Sequence, residues 1–393
     1  MSEQGHGEPI SGGQAPRSWD ELVIRFDAGI DLNRIQQLLQ QARERGGLSQ
    51  ESVCTVNLVG IYYSTASYER AQAALEAAGT LHPCRLLVLI AEERTPTDAV
   101  TARISVVRQG GAISLERIVL TATGQAVRHL ESAMLGLLLP ELPLVVIWGG
   151  RAEGNLLNRA VESADRVIID SSTRPANALI DVAQFLAAGA PLGDLAWARI
   201  FTWQALAAEV LDLPNLREHR GNITRAKVTC AGSVGPEGVL LAGWMGARIK
   251  KIKLELVAAS GSDAPAPSPG GGDGQEGSGS ASTAALSEGQ ITQFEFEAPP
   301  ATFTLRREKG ILVAEVRGDD DGEVVHRVRL PLETPGRLLG LELKLLAGID
   351  DLYAASVQAG VKLIARGALQ ASGKTSAGPV PLPPPAPPKG KAS

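Results

Sequence analysis

The chain has 393 residues, with 38 Lys and Arg against 43 Asp and Glu, so its net charge is −5. This length allows two or three domains, and a hydrophobic fraction of 44% excludes disorder throughout the chain. The slightly acidic balance gives no overall attraction for nucleic acid or for an anionic membrane surface. Three cysteines are too few for a disulfide framework, so we expect a cytoplasmic protein.

Neither a targeting segment nor a membrane segment is predicted. Residues 1–18 are polar and have no apolar stretch of the kind found in secretory signals, so we expect a disordered N-terminus. The most apolar stretch, residues 134–148, is interrupted by Pro140, Glu141 and Pro143. It is also shorter than the roughly 18–20 residues that cross a bilayer. A buried helix followed by a buried strand explains this stretch.

Residues 19–215 alternate between apolar strands and helices. Strands are predicted at 22–26, 54–63, 84–93, 143–149 and 166–172, and helices at 32–45, after Ser67, at 124–139 and at 153–164. Near-continuous apolar strands separated by helices are typical of a mostly parallel sheet that helices cover on both faces. Two further segments flank Gly110–Gly111 as a predicted hairpin, which makes the sheet mixed. We therefore predict an α/β domain over 19–215 that ends in a helical segment, with helices at 175–189 and 194–212.

From residue 223 the hydrophobic period changes to two. In 251–257, Ile252, Leu254 and Leu256 alternate with charged residues, which indicates a half-exposed antiparallel strand. Helices are predicted at 238–250, 337–347 and 350–366. We predict an α+β domain with an antiparallel sheet over 216–258 and 291–366. A Gly/Ser/Pro-rich linker insertion occupies 259–290, and 367–393 is a Pro-rich disordered tail.

The sequence contains no recognisable catalytic pattern. Its five histidines lack metal-ligand spacing, and CxxC, HExxH and GxSxG patterns are absent. We therefore predict no catalytic residue, no cofactor site and no metal site, and we expect that the protein is not an enzyme.

Five tryptophan and arginine side chains are candidates for contacts with a partner or between the two domains. Trp197, Arg199 and Trp203 lie on the helical stretch that joins the predicted domains, and Trp244 and Arg248 lie on the helix 238–250. Trp and Arg are the residue types that anchor protein–protein interfaces. The alternative is that each Trp packs inside its own domain.

Six segments of the chain, taken in order, resemble one known family. They are HPCRLLVLI (82–90), LLLPELPLVVIWGG (137–150), ADRVIIDSS (164–172), DLAWARIFTWQALAAEVLD (194–212), LLAGWMGARIK (240–250) and LLGLELKLLAGIDDLYAASVQAG (338–360). This series resembles the glucose-6-phosphate dehydrogenase assembly protein OpcA family over about 50–258 and 291–366. The resemblance implies a non-catalytic partner that binds glucose-6-phosphate dehydrogenase and promotes its active oligomeric state in the oxidative pentose phosphate pathway. Some family members have cysteines near the C-terminus, whereas 367–393 has none.

Two functional hypotheses follow. In the first, the protein is an allosteric activator, since a protein that binds one state of an enzyme shifts its population toward that state. In the alternative, it is a sugar-phosphate- or nucleotide-binding α/β protein or an enzyme. Its ligand would then lie in the crevice at the carboxyl ends of the strands, near Gly149, Gly150, Arg151 and Asp170–Ser172.

Overall fold

A computed structural model describes most of the chain. The described residues are 21–27, 29–44, 53–109, 112–149, 155–214, 216–259, 287–308, 310–318, 323–330, 334–344 and 350–367. The predicted N-terminal segment 1–18, most of the predicted linker and nearly all of the predicted tail lie outside these ranges.

Eight strands of the described chain form sheet A, in the order β1-β4-β5-β3-β2-β6-β7-β8. They are Leu22–Phe26 (β1), Val56–Tyr62 (β2), Cys84–Glu92 (β3), Ala99–Gln109 (β4), Ala112–Thr123 (β5), Leu144–Trp148 (β6), Arg166–Ile169 (β7) and Leu192–Asp194 (β8). The six strands from β5 to β8 in this order are parallel. Strands β4 and β1 add antiparallel pairs at one edge. The predicted mixed, mostly parallel sheet is confirmed.

Helices cover both faces of sheet A because its central strands are apolar on both sides. The helices of the described chain are Leu32–Glu44 (α1), Thr65–Leu81 (α2), Leu130–Leu137 (α3), Asn155–Ser163 (α4), Leu179–Ala187 (α5), Leu195–Arg199 (α6), Phe201–Asp212 (α7), Pro236–Arg248 (α8), Pro335–Leu343 (α9) and Asp351–Ala365 (α10). On one face α1 and α3 pack against Val59 and Leu87, and on the other α2 and α9 pack against Leu58 and Leu86. Each such fully buried side chain stabilises the fold by about 1.5–3 kcal/mol.

Six described strands form sheet B, in the order β10-β9-β11-β12-β13-β14. They are Arg225–Ala231 (β9), Lys253–Ala259 (β10), Ile291–Ala298 (β11), Ala301–Glu308 (β12), Ile311–Arg317 (β13) and Glu323–Arg329 (β14). Four neighbouring pairs are antiparallel, which confirms the predicted mostly antiparallel sheet. The antiparallel pairing predicted for 251–257 is wrong, because β10 pairs with β9 in parallel. The helix α8 between these two strands makes a crossover connection, which only a parallel pair requires.

The C-terminal helices pack on both parts of the molecule. Although the sequence assigned 291–366 to the second domain, α9 lies on α2 at sheet A, where the ring Nε2 of His82 is 2.8 Å from the carbonyl oxygen of Gly340. Helix α10 packs against α8, and Gly243 permits their close approach. A Cβ atom at Gly243 would lie 2.1 Å from the carbonyl oxygen of Ser356. Buried side chains of both sheets belong to one continuous core.

Of the helices predicted at 175–189 and 194–212, the structure separates the two by a short strand and divides the second. Strand β8 pairs with β7 for only three residues, which is too short to leave a periodic pattern in the sequence. A break at Ile200 then separates α6 from α7. Similarly, the helix predicted at 124–139 is a 3-10 turn over Gly124–His129 followed by α3. None of the helices in the described ranges combines the length and the apolar composition that crossing a membrane requires.

Candidate functional site

Polar side chains meet where the carboxyl edge of sheet A contacts α8 and α10. They come from the ends of β7 and β8, from α6, and from these two helices. We call this set the junction cluster: Asp170, Asp194, Trp197, Arg199, Glu237 and Tyr353.

Arg199 links the end of β7 to α8. Its Nη1 and Nη2 groups donate to the two carboxylate oxygens of Asp170 at 2.7 and 2.8 Å, and Nη1 also donates to Ser172 Oγ at 2.7 Å. Its Nε lies 3.8 Å from Oε1 of Glu237. Burial by itself raises the pKa of Asp170, but the hydrogen bonds and charge of Arg199 outweigh it and lower the pKa. Asp170 is therefore held as a carboxylate.

Asp194 is fully buried between β8 and α6. As the N-cap of α6, its Oδ1 accepts the backbone N–H groups of Ser171 at 3.0 Å and Ala196 at 2.9 Å. The hydroxyl of Tyr353 on α10 donates to Oδ2 at 3.1 Å. Burial raises the pKa of Asp194, and these backbone hydrogen bonds partly oppose the rise. The Asp194 carboxylate thus links sheet A, α6 and α10 by hydrogen bonds.

Trp197 connects α6 to the first turn of α10. Its indole Nε1 donates to Oδ2 of Asp350 at 3.0 Å, and its ring centroid lies 5.6 Å from that of Tyr353. The other oxygen of Asp350 accepts the backbone N–H groups of Leu352 and Tyr353 and so caps α10. The indole N–H therefore fixes the orientation of the capping side chain.

The other three predicted residues lie outside these polar contacts. Trp203 on α7 is only 1% exposed, and the guanidinium carbon of Arg307 lies 6.0 Å from its ring centroid. Trp244 is half-buried against the main core, and Arg248 is exposed in the last turn of α8. The structure thus brings together two of the five predicted residues, Trp197 and Arg199, while whether any of them contacts a partner stays a prediction.

Sequence reasoning missed three members of the junction cluster, Asp194, Glu237 and Tyr353, and also Asp350, the partner of Trp197. Asp194 and Asp350 each directly precede a helix, a position at which Asp is a preferred N-cap, so a capping search would have marked both. Glu237 and Tyr353 carry no such signal, because their roles depend on partners that are distant in the sequence.

Side chains fill the described part of the crevice at the carboxyl ends of the strands. The ring of Tyr62 lies over Gly149, where a Cβ atom would be 2.4 Å from Tyr62 Cε1. The guanidinium carbon of Arg174 lies 4.3 Å from the ring centroid of Trp148. Gly150 and Arg151, which the alternative hypothesis placed here, lie outside the described residues. Within the described ranges, no three His, Cys, Asp or Glu side chains are grouped as metal ligands.

Two family models match the chain on either side of residue 187. One, described as "Glucose-6-phosphate dehydrogenase subunit N-terminal domain", matches residues 75–184, and the corresponding C-terminal domain model matches residues 190–357. The chain belongs to the OpcA family of glucose-6-phosphate dehydrogenase assembly proteins. The junction cluster combines residues from both matches, since Asp170 lies in the first and Arg199 in the second.

Curated relatives agree with the OpcA assignment. A Synechocystis sp. protein named as a candidate OxPP cycle protein, OpcA, is 28% identical over 257 residues, which are 62% of this chain and 54% of that protein. A Nostoc punctiforme protein of the same name is 28% identical over 178 residues, 43% of this chain and 38% of that protein. The chain thus spans about half or less of the length of these relatives.

Among solved structures, the 3-ketoreductase KijD10 of Actinomadura kijaniata matches with 12% identity and a TM-score of 0.43, over 79% of this chain and 98% of that chain. A TM-score at this level decides nothing about function.

Proposed function

We propose that this chain is a non-catalytic, cytoplasmic assembly factor that binds glucose-6-phosphate dehydrogenase and favours its active oligomeric state. The observation that carries the proposal is the pair of family matches over 75–184 and 190–357, both described as subunit domains of that dehydrogenase. The junction cluster supports a non-catalytic role, because its two aspartates are occupied by structural contacts. Asp170 is paired with Arg199, and Asp194 accepts backbone amides and a tyrosine hydroxyl.

Activation by such a partner needs only a modest difference in affinity between two states of the enzyme. A partner that binds the substrate-competent oligomer more tightly shifts the population toward it. A tenfold rise in apparent substrate affinity corresponds to about 1.4 kcal/mol of coupling. One interface of ordinary size supplies this free energy.

We place the contact with the dehydrogenase at the corner between α6 and α7. Phe201 begins α7 two residues after Arg199, and its side chain is 65% exposed. An exposed aromatic side chain beside a rigid, hydrogen-bonded helix is suited to anchor an interface, because little conformational freedom is lost on binding. The junction cluster would then hold this corner in a fixed orientation.

Initial rates of the cognate dehydrogenase, measured against glucose 6-phosphate at several concentrations of this protein, test the proposal. We expect the rate to rise more at low substrate than at saturation, with co-elution of the two proteins on a sizing column. Phe201→Ser should weaken both effects, whereas Val23→Ser, which removes another exposed apolar side chain on β1, should leave both unchanged. Superimposed rates at every ratio, together with separate elution, would disprove the proposed function.

A further inference from the structure

A cleft of about 270 Å³ opens between α1, β3 and α3. Gln36, Gln40 and Arg43 line it from α1, with Arg85 from β3 and Leu137 from α3. Arg85 is the second residue of its strand, so the cleft lies at the amino ends of the parallel strands. It is therefore at the edge of sheet A opposite the junction cluster and the carboxyl-end crevice.

Two guanidinium groups at this cleft share a single carboxylate. Nε of Arg43 donates to Oε1 of Glu116 at 2.9 Å, and Nε and Nη2 of Arg85 donate to Oε2 at 2.9 and 2.6 Å. Glu116 is fully buried. A third guanidinium, that of Arg108, donates to the carbonyl oxygen of Arg43. Two positive groups thus contact one buried carboxylate, and a third lies beside Arg43.

The surrounding backbone offsets only part of this charge. The carbonyl oxygens of Arg43 and Leu137, which accept from Arg108 and Arg85, belong to the last turns of α1 and α3. Each helix end contributes at most about half a negative charge. Nε2 of the lining residue Gln40 donates to Oε1 of Glu44 at 2.9 Å, but Glu44 is exposed, and water screens its charge. Arg43 and Arg85 at the wall of the cleft therefore carry one positive charge more than Glu116 neutralises, and among the described residues Arg108, which does not line the cleft, adds a further positive charge beside Arg43.

We propose that this cleft binds a small phosphate monoester. The side chain of Arg43 is 23% exposed, and its Nη1 group has no hydrogen-bond acceptor among the described residues. A planar guanidinium held in place by a carboxylate is suited to bind a phosphate oxygen. The cleft lies near the lower end of the roughly 300–1,000 Å³ typical of small-molecule sites, which favours a compact phosphorylated polyol or sugar.

Calorimetric titration of the full chain with inorganic phosphate and with glycerol 3-phosphate tests this proposal, at ionic strength kept constant with sodium chloride. We expect saturable binding of both, and Arg43→Gln should weaken it about tenfold or more, because a hydrogen bond to a charged group is lost. Arg34→Gln serves as the matched control and should bind as the wild type does, because it removes an exposed guanidinium whose hydrogen bond among the described residues is to Gln37 on the same helix.

Three results would overturn the proposal. They are the absence of saturable binding to the wild type, equal binding by Arg43→Gln, and a response that sodium chloride reproduces. Thermal unfolding without phosphate shows whether each variant is folded. If Arg43→Gln fails to fold, Arg43→Lys takes its place and is again expected to bind more weakly, since it keeps the charge but loses the planar arrangement of donors.

Discussion

Replacing Arg199 with alanine removes the contact that joins the end of sheet A to α8. The variant loses both hydrogen bonds to the carboxylate of Asp170 and the one to Ser172 Oγ. It leaves the partly buried carboxylate of Asp170 without the guanidinium that pairs with it, and it removes the same positive charge from beside Glu237. The change therefore costs more than the hydrogen bonds themselves, because a carboxylate is left where water reaches it poorly.

How far Arg199 and Asp170 are exposed determines the expected loss in the free energy of unfolding. Removing one partner of a fully buried ion pair costs about 3–5 kcal/mol. The side chains of Arg199 and Asp170 are 13% and 24% exposed, so water solvates part of the remaining charge. We expect Arg199→Ala to lower the free energy of unfolding by about 3 kcal/mol. Arg199→Lys keeps the charge but not the paired donors, and should lose about 1–2 kcal/mol.

Urea denaturation of the full chain, followed by tryptophan fluorescence and by far-ultraviolet circular dichroism, measures this loss. Coincident transitions from the two signals show that one free energy of unfolding applies. Arg159→Ala is the matched control, because its ion pairs with Glu131 and Glu162 are half-exposed and each contributes less than about 1 kcal/mol. An Arg199→Ala variant within about 0.5 kcal/mol of the wild type would refute this account of the junction cluster.

Three further predictions follow from the described contacts. Gly243→Ala forces α8 and α10 apart and should lower the free energy of unfolding, measured by thermal unfolding, by about 1–3 kcal/mol. Gly221→Ala should leave it unchanged, because no atom of the described residues lies within 4 Å of the new Cβ. A thiol reagent should label one cysteine quickly in the native protein and three after denaturation, because burial raises the pKa of two of the thiols. The accessible thiol is that of Cys54, and the protected ones are those of Cys84 and Cys230. Because the pKa of Asp170 lies below its ordinary value of 3.8, its stabilising contribution is present above that pH and is lost as the pH falls through the lowered pKa. The stability difference between the wild type and Asp170→Asn should therefore be constant from pH 7 to 5 and shrink below about pH 4; a difference that grows on acidification would contradict this.

Local patterns predicted the central strands of sheet A well, because a strand that is buried on both faces appears in the sequence as a nearly continuous run of apolar residues. Every residue of β2 is buried, and its apolar run is visible in the sequence without knowledge of its neighbours. The same kind of pattern failed for β10. Alternation with period two reports that a strand has one buried face, and this holds equally for parallel and antiparallel pairing. Whether β10 runs parallel or antiparallel to β9 depended on α8, which lies between the two strands in the chain.

The sequence by itself determined the α/β and α+β classes, most strands and helices, and the family, because each depends on residues that are close together in the chain. Only the tertiary structure decided which distant side chains meet. Tyr353 reaches Asp194 across more than 150 residues, and α9 returns to pack on α2. Arg199 and Asp170 were each recognisable as candidates, but their pairing with each other was not. Hydrophobic periodicity records how far each side chain is buried, whereas the partner of a buried polar group is set by how the layers pack on each other.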